Sequence, residues 1–162
     1  MPRLTGWAAH ARPFAFEAGS IAYAEDAARF QHGTPSIPAL YAAQAGYALT
    51  EELGVPAIRA KSERQVALLI ERARGAGLTP RTPEDPTERG GMVILDVPHA
   101  AAVTRELLRR EILVDFRPGA GIRLSPHYYT ADEELAYAVD QIRDILDTAA
   151  YRTHEVDAAP AF

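Results

Sequence analysis

The sequence predicts an α+β domain: a few-stranded, largely antiparallel sheet with helices on one face, preceded by an irregular segment and long helices. Three observations carry this expectation. The segments Met92–Val97, Ile112–Phe116 and Gly121–Ser125 have strand length and read as strands. The stretches around them carry apolar residues at helical spacing. The Pro118-to-Gly121 turn between the last two runs is short enough to make them an antiparallel hairpin. The order is irregular, α, α, β, α, β, β, α, which packs as helices against one sheet.

Residues 1–35 lack a sustained period and mix Gly6, Trp7, Pro13, Phe14, Phe16, Gly19, Phe30 and Gly33. A structureless stretch this long and aromatic is unusual inside a compact domain, and it is expected to pack on a surface outside the chain. From Ser36 to about Leu53 the spacing turns helical, with Leu40, Gln44 and Ala48 on one row and Tyr41 and Ala45 on the next. Gly54 stops that helix, and Pro56 suits the first turn of another. Ile58, Ser62, Val66, Leu69, Ile70 and Ala73 form one face of it, and Gly75 and Gly77 end it.

Pro80, Pro83 and Pro86 make the next stretch an extended loop. Gly90-Gly91 leads into the first strand, and Pro98 opens a short helix carrying Val103 and Leu107. After the hairpin, Thr130-Ala131-Asp132-Glu133 reads as a capping box. It begins a helix with Leu135, Val139, Ile142, Leu146 and Ala149 on one face. The expected organisation is an irregular segment (1–35), an α+β domain (36–150) and a frayed tail (151–162).

The chain has 162 residues, 48% of them hydrophobic, enough for one domain with a core. Its net charge of −5 and the lack of a basic stripe argue against nucleic-acid binding. No apolar run approaches the ~20 residues of a membrane-spanning helix, and the N-terminus does not read as a signal peptide. There is no cysteine, so no disulfide framework and no thiol nucleophile. A cytoplasmic setting is the expectation.

The most informative stretch is Asp115 to Thr130. Arg123 stands between Ile122 and Leu124 on the second hairpin strand. A guanidinium there is costly unless it meets a carboxylate, which points to a small acid as ligand. A bridge to Asp115 or Asp96 is the structural alternative. Arg117 is expected to be solvated or structural. His127, with no second histidine at i+4 and no acidic partner at ligand spacing, does not make a metal site.

Four segments resemble one family. They are Gly6-Trp7-Ala8-Ala9-His10 with Pro13-Phe14-Ala15-Phe16, Phe30-Gln31-His32-Gly33-Thr34-Pro35, Ile58-Arg59-Ala60-Lys61-Ser62, and the hairpin from Asp115 to Tyr129. Together they resemble the small C-terminal part of fold-type I pyridoxal-phosphate enzymes of the class V aminotransferase superfamily, and within it kynureninase. The Gly-Thr-Pro turn and the hairpin occur across the superfamily. The Gly-Trp-x-x-His and Arg-x-Lys-Ser segments point to kynureninase.

The resemblance implies several roles. Arg123 is expected to bind the substrate α-carboxylate, for which a planar fork is better suited than an ammonium. Trp7, Gly33 and Thr34 are expected at the cofactor phosphate, with helix capping by Thr34 or Ser36 and an aromatic packing role for Trp7 as the alternatives. His10 could line the substrate side, but a structural role is the expected one.

The lone lysine, Lys61, lies on a helix between Arg59 and Arg64, whereas the family's Schiff-base lysine sits on a turn of the large domain. Lys61 is therefore expected at a surface or interface, and no catalytic residue is assigned in this chain. The chain is expected to be a fragment, a truncated reading frame or one half of a split enzyme, inactive alone. It would bind pyridoxal phosphate only with the large domain and would work as a homodimer. The implied reaction is hydrolysis of kynurenine to anthranilate and alanine. Another class V chemistry (aminotransferase, lyase or epimerase) and a non-catalytic dimerisation module are the alternatives.

Overall fold

The computed structural model describes residues 2–155. The chain divides into two compact units, Met1–Glu52 and Leu53–Phe162. This boundary lies well beyond the one expected at residue 35, because the first long helix belongs almost wholly with the irregular segment.

The N-terminal unit is built from short 3-10 turns at Trp7–Ala9, Pro13–Ala15 and Ala27–Phe30, followed by helix α1, Ile37–Leu53. The turns are tied by an antiparallel bridge between His10 and Tyr23, flanked by Ala11 N–H to Ala22 O at 2.7 Å and Ala24 N–H to Ala9 O at 3.0 Å. Ala9 is fully buried beneath them. Helix α1 buries none of its residues.

The C-terminal unit holds α2 (Val55–Gly75), β1 (Thr79–Pro80), β2 (Val93–Asp96), α3 (Ala100–Arg109), β3 (Asp115–Arg117), β4 (Gly121–Leu124) and α4 (Asp132–Asp147). The strands form one antiparallel sheet in the order β1-β2-β4-β3. Alternation along the central strands sets the faces. Val93, Leu95, Ile122 and Leu124 are buried with Val66, Leu69 and Ile70 of α2, Val103 and Leu107 of α3, and Leu135, Val139, Ile142 and Ile145 of α4. Ile94 and Arg123, cross-strand partners, take the opposite face. The expected α+β architecture, with helices on one sheet face and an antiparallel closing hairpin, is the observed one.

Four elements differ from the sequence expectation. The proline loop contributes β1, because Thr79 and Pro80 pair with Asp96 and Leu95 at the sheet edge. A proline is tolerated on an edge strand, where its missing N–H would face outward. The strand expected from Ile112 begins at Asp115. Glu111 adopts a left-handed conformation (φ 62°), its N–H bonds Leu108 O at 3.0 Å, and Ile112 N–H bonds Leu107 O at 2.9 Å. That paired closure of the helix end uses the Ile112 donor before it can join the sheet.

The capping box is shifted by one residue. The Glu134 carboxylate accepts from Ala131 N–H at 2.7 Å, while the Thr130 hydroxyl accepts from His127 N–H at 3.0 Å. The segment expected to fray from residue 151 begins instead with a 3-10 helix, Ala150–His154. The rest of it, 156–162, lies outside the described residues.

That last helix is held by polar contacts to α3. Tyr151 stacks on His99, with ring centroids 4.3 Å apart, and His99 Nδ1 lies 2.8 Å from a Glu155 carboxylate oxygen. His154 Nε2 lies 2.9 Å from Glu106 Oε2, and Arg105 donates to His154 O at 2.9 Å. Glu106 is only 2% exposed. It accepts from Arg109 Nε and Nη2 at 2.7 and 2.6 Å and from Arg110 Nε at 2.9 Å. The Arg109 hydrogen bonds, joined by those from His154 and Arg110, hold its carboxyl far below its ordinary 4.5 against the opposing effect of burial.

Two outcomes follow for the C-terminal unit. A depressed folded-state value means Glu106 contributes stability that is fully present above about pH 4.5 and is lost as pH falls towards the folded-state value. Glu106→Gln is therefore expected to destabilise the unit by roughly 2–4 kcal/mol at neutral pH and to flatten the acid limb of its stability curve in urea titrations. Gly121 has φ 133°, and a Cβ there would lie 2.1 Å from Leu95 O. Gly121→Ala is expected to cost at least about 3 kcal/mol in the same measurement.

Candidate functional site

The two groups of residues singled out in the sequence fall in different units, so each is built separately. In the N-terminal unit, Gly6 lies against the His32 main chain. A Cβ at Gly6 would fall 1.5 Å from His32 O, so only glycine permits this approach. The contact brings the two expected phosphate segments together: a Cβ at Gly33 would sit 3.6 Å from the Trp7 indole Nε1. Trp7 is half exposed and packs edge-on against Phe14, with centroids 5.5 Å apart.

Thr34 is exposed two residues before Ser36, whose carbonyl accepts from Leu40 N–H at 3.2 Å in the first turn of α1. The Trp7 indole and Gly33 thus lie close together, with the Thr34 hydroxyl on the next residue of the chain, just ahead of a 17-residue helix. As a donor set this fits a phosphate ester. His10 serves structure, since its Nδ1 accepts from Arg12 N–H at 2.9 Å.

In the C-terminal unit, β4 places Arg123 on the sheet face opposite the core, with its side chain about one-third exposed. Asp115 stands directly across on β3. Arg123 Nε donates to Asp115 Oδ1 at 2.9 Å and Nη2 to Oδ2 at 2.6 Å. Arg117 Nη2 donates to the same Oδ2 at 2.7 Å. Of the two carboxylates weighed as partners from the sequence, Asp96 is taken instead by Arg81, through Nε at 2.9 Å and Nη2 at 2.5 Å. Arg123 Nη1 has no partner among the described residues.

Lys61 is engaged within its own unit. Its ammonium donates to Tyr128 O at 2.7 Å and so ties α2 to the segment after β4. Beside it, Gln65 donates to Thr130 O at 2.8 Å and to Asp132 Oδ1 at 3.0 Å, and Arg64 also bonds Asp132. Arg64, then Gln65, holds the Asp132 carboxyl below its ordinary value. Periodicity gives no sign of these anchors, because it treats Lys61 and Gln65 only as polar residues on a helix.

Two cavities of the C-terminal unit have linings that do not include Arg123. One of about 510 Å³ is lined by residues that include Leu113, Leu124, Tyr129, Leu135 and Tyr137, and one of about 150 Å³ by Ile58, Ser62, Gln65, Pro126, His127 and Tyr128. Among the described residues no cluster of histidine, aspartate and glutamate is arranged to hold a metal, and no helix is long and apolar enough to cross a membrane.

Solved structures share this architecture. A cysteine desulfurase from Thermococcus onnurineus NA1, in its apo form, superposes with a TM-score of 0.73 at 21% identity, over 91% of this chain and 40% of that one. The cystine C-S lyase C-DES, in complex with cysteine persulfide, gives 0.68 at 19% identity, over 88% and 38%. The fold is that of the small domain of fold-type I pyridoxal-phosphate enzymes.

The chain belongs to the kynureninase C-terminal domain family, which matches residues 58–142. Kynureninase of Burkholderia mallei (strain SAVP1) is 33% identical over 159 residues, covering 94% of this chain and 38% of that protein. An uncharacterized aminotransferase, YcbU, of Bacillus subtilis (strain 168) is 32% identical over 142 residues, covering 87% and 36%. The chain thus spans well under half the length of these relatives.

The Gly6 contact gives a direct test of the N-terminal arrangement. Gly6→Ala must separate Trp7 from residues 32–33. Trp7 is the only tryptophan, so its fluorescence emission is expected to move towards that of a fully solvated indole, while a conservative Thr34→Ser change leaves it in place.

Proposed function

We propose that this chain is the substrate-carboxylate- and phosphate-contacting part of a kynureninase-type, pyridoxal-phosphate-dependent hydrolase that cleaves kynurenine to anthranilate and alanine. The observation that carries the reading is Arg123. It is held on the sheet face opposite the core with one edge of its guanidinium bonded to Asp115 and Nη1 without a partner among the described residues. A bidentate acceptor such as an amino-acid carboxylate suits that free edge. The similarity to the Burkholderia kynureninase supports kynurenine as the substrate class.

Trp7, Gly33 and Thr34 would hold the cofactor phosphate by N–H and O–H donation. When bound, the cofactor supplies the electron sink, and this chain's residues supply binding and orientation. The lone lysine is unsuited to carry the cofactor, because its ammonium is bonded to Tyr128 O. The chain by itself is therefore expected to turn over no kynurenine.

Exposure supports a partner surface on the N-terminal unit. Helix α1 carries Ile37, Leu40, Tyr41, Tyr47 and Leu49 and buries none of them, and Phe14 and Phe16 are also exposed. Apolar surface on this scale supports packing of the N-terminal unit against a large cofactor-binding domain, within a homodimer. The Bacillus aminotransferase relative supports a second reading, in which the same parts serve another class V reaction.

Mixing the chain with the remaining portion of the Burkholderia kynureninase and pyridoxal phosphate tests both readings. Kynurenine-dependent release of anthranilate supports the first, and transamination without cleavage supports the second. In the active mixture, Arg123→Gln is expected to lower kcat/KM by about 30- to 100-fold, the loss of roughly 2–3 kcal/mol of carboxylate binding. Visible absorbance of cofactor bound covalently to the isolated chain would overturn the assignment of Lys61.

A further inference from the structure

Arg123 and Asp115 are direct cross-strand partners in the β3–β4 hairpin, so their side chains share one sheet face. Asp115 bonds the edge of the guanidinium formed by Nε and Nη2, at 2.9 and 2.6 Å. A guanidinium has a second edge of the same shape, formed by Nη1 and the other Nη2 hydrogen. That edge has no partner among the described residues. Asp115 Oδ2 is also bonded by Arg117 at 2.7 Å, so one carboxylate serves two guanidiniums and the trio keeps one net positive charge.

We infer that Asp115 is a positioning residue: it fixes Arg123 by one edge so that the other is presented, already oriented, to a monocarboxylate ligand. This rests on the reading of Arg123 as the substrate-carboxylate receptor. A flexible arginine must lose side-chain freedom when it binds, and Asp115 removes that freedom in advance. Arg117 completes the arrangement. Without it, Asp115 would cancel the charge of Arg123; with it, an incoming carboxylate brings the group to neutrality.

The opposite role, Asp115 as an internal competitor for Arg123, makes the opposite prediction. A competitor's removal tightens ligand binding, whereas a positioner's removal weakens it.

The test uses the whole chain, labelled with nitrogen-15 in arginine, at low ionic strength so that screening does not mask the contact. The side-chain signals of Arg123 are followed by NMR during titration with L-kynurenine and, separately, with its methyl ester. In the wild type, the Arg123 Nη signals are expected to shift saturably with the acid and not with the ester. In Asp115→Asn, the same titration is expected to show roughly threefold to tenfold weaker binding, with Asp115→Glu restoring part of the loss. The Nε–H of Arg123 should exchange with solvent more slowly than that of the exposed Arg3 in the wild type and lose that protection in Asp115→Asn.

Equal or tighter binding by Asp115→Asn overturns the inference and leaves the Arg123 reading standing. No saturable response in the wild type overturns both. If Asp115→Asn does not fold, the wild type still decides: an Arg123 side chain exchanging as fast as Arg3 is not held, and the proposal fails.

Discussion

Register in the centre of the sheet is the constraint on which the rest of the C-terminal unit depends, and one close approach sets it. Gly121 brings the β4 main chain so near β2 that no side chain fits between it and Leu95 O. From that point the pairs run Leu95 with Ile122, Ile94 with Arg123 and Val93 with Leu124. On the other side, Arg117 meets Gly121, Phe116 meets Ile122 and Asp115 meets Arg123. A slip of one residue would turn Ile122 and Leu124 out to solvent and drive a guanidinium into the core. The hydrophobic stabilisation of the domain and the exposure of its candidate ligand-binding group therefore have the same cause.

The far side of the unit solves a different problem. Helix α3 carries a glutamate almost without solvent access, and three cationic or polar partners converge on it from two elements. Arg110 reaches on to Gln141 and Asp144 of α4, both at 2.6 Å. The network thus joins α3, α4 and the last 3-10 helix by directional bonds, where the apolar core alone would fix their separation but not their rotation. Removing one member leaves a buried charge without its partner, which is why such a network resists substitution more than its net contribution to stability suggests.

Much of this was legible in the sequence where periodicity or turn chemistry decides structure. The helix faces around Val66, Leu69 and Ile70 and around Leu135, Val139 and Ile142 read directly from spacing, as did the hairpin at Pro118–Gly121. What escaped the sequence depends on tertiary partners. Thr79 and Pro80 become a strand only because β2 offers an edge. Glu106 is one more acidic residue on a helix until the C-terminal 3-10 helix closes over it. Glu134 rather than Glu133 completes the helix start, because the Thr130 hydroxyl is drawn back to His127 N–H. Trp7 and Gly33, 26 positions apart in the chain, meet through the glycine at position 6, and the sequence showed that glycine as part of a motif without showing what it touches.

The sequence set two readings of Arg123 against each other, a structural bridge and a ligand receptor; the bridge to Asp115 is the one observed, and it is compatible with the other. A guanidinium is planar and has two carboxylate-shaped edges. The bond to Asp115 uses one of them and orients the plane; it does not consume the other. A lysine could not divide its donors in this way, since an ammonium is a point charge on a flexible stem with no fixed second face. Lys61 shows the contrast: its charge is committed to a single carbonyl oxygen, where a compact donor is sufficient. An arginine at position 123 can be anchored by one edge and keep the other available, and the anchor follows from the strand register that places Asp115 across from it.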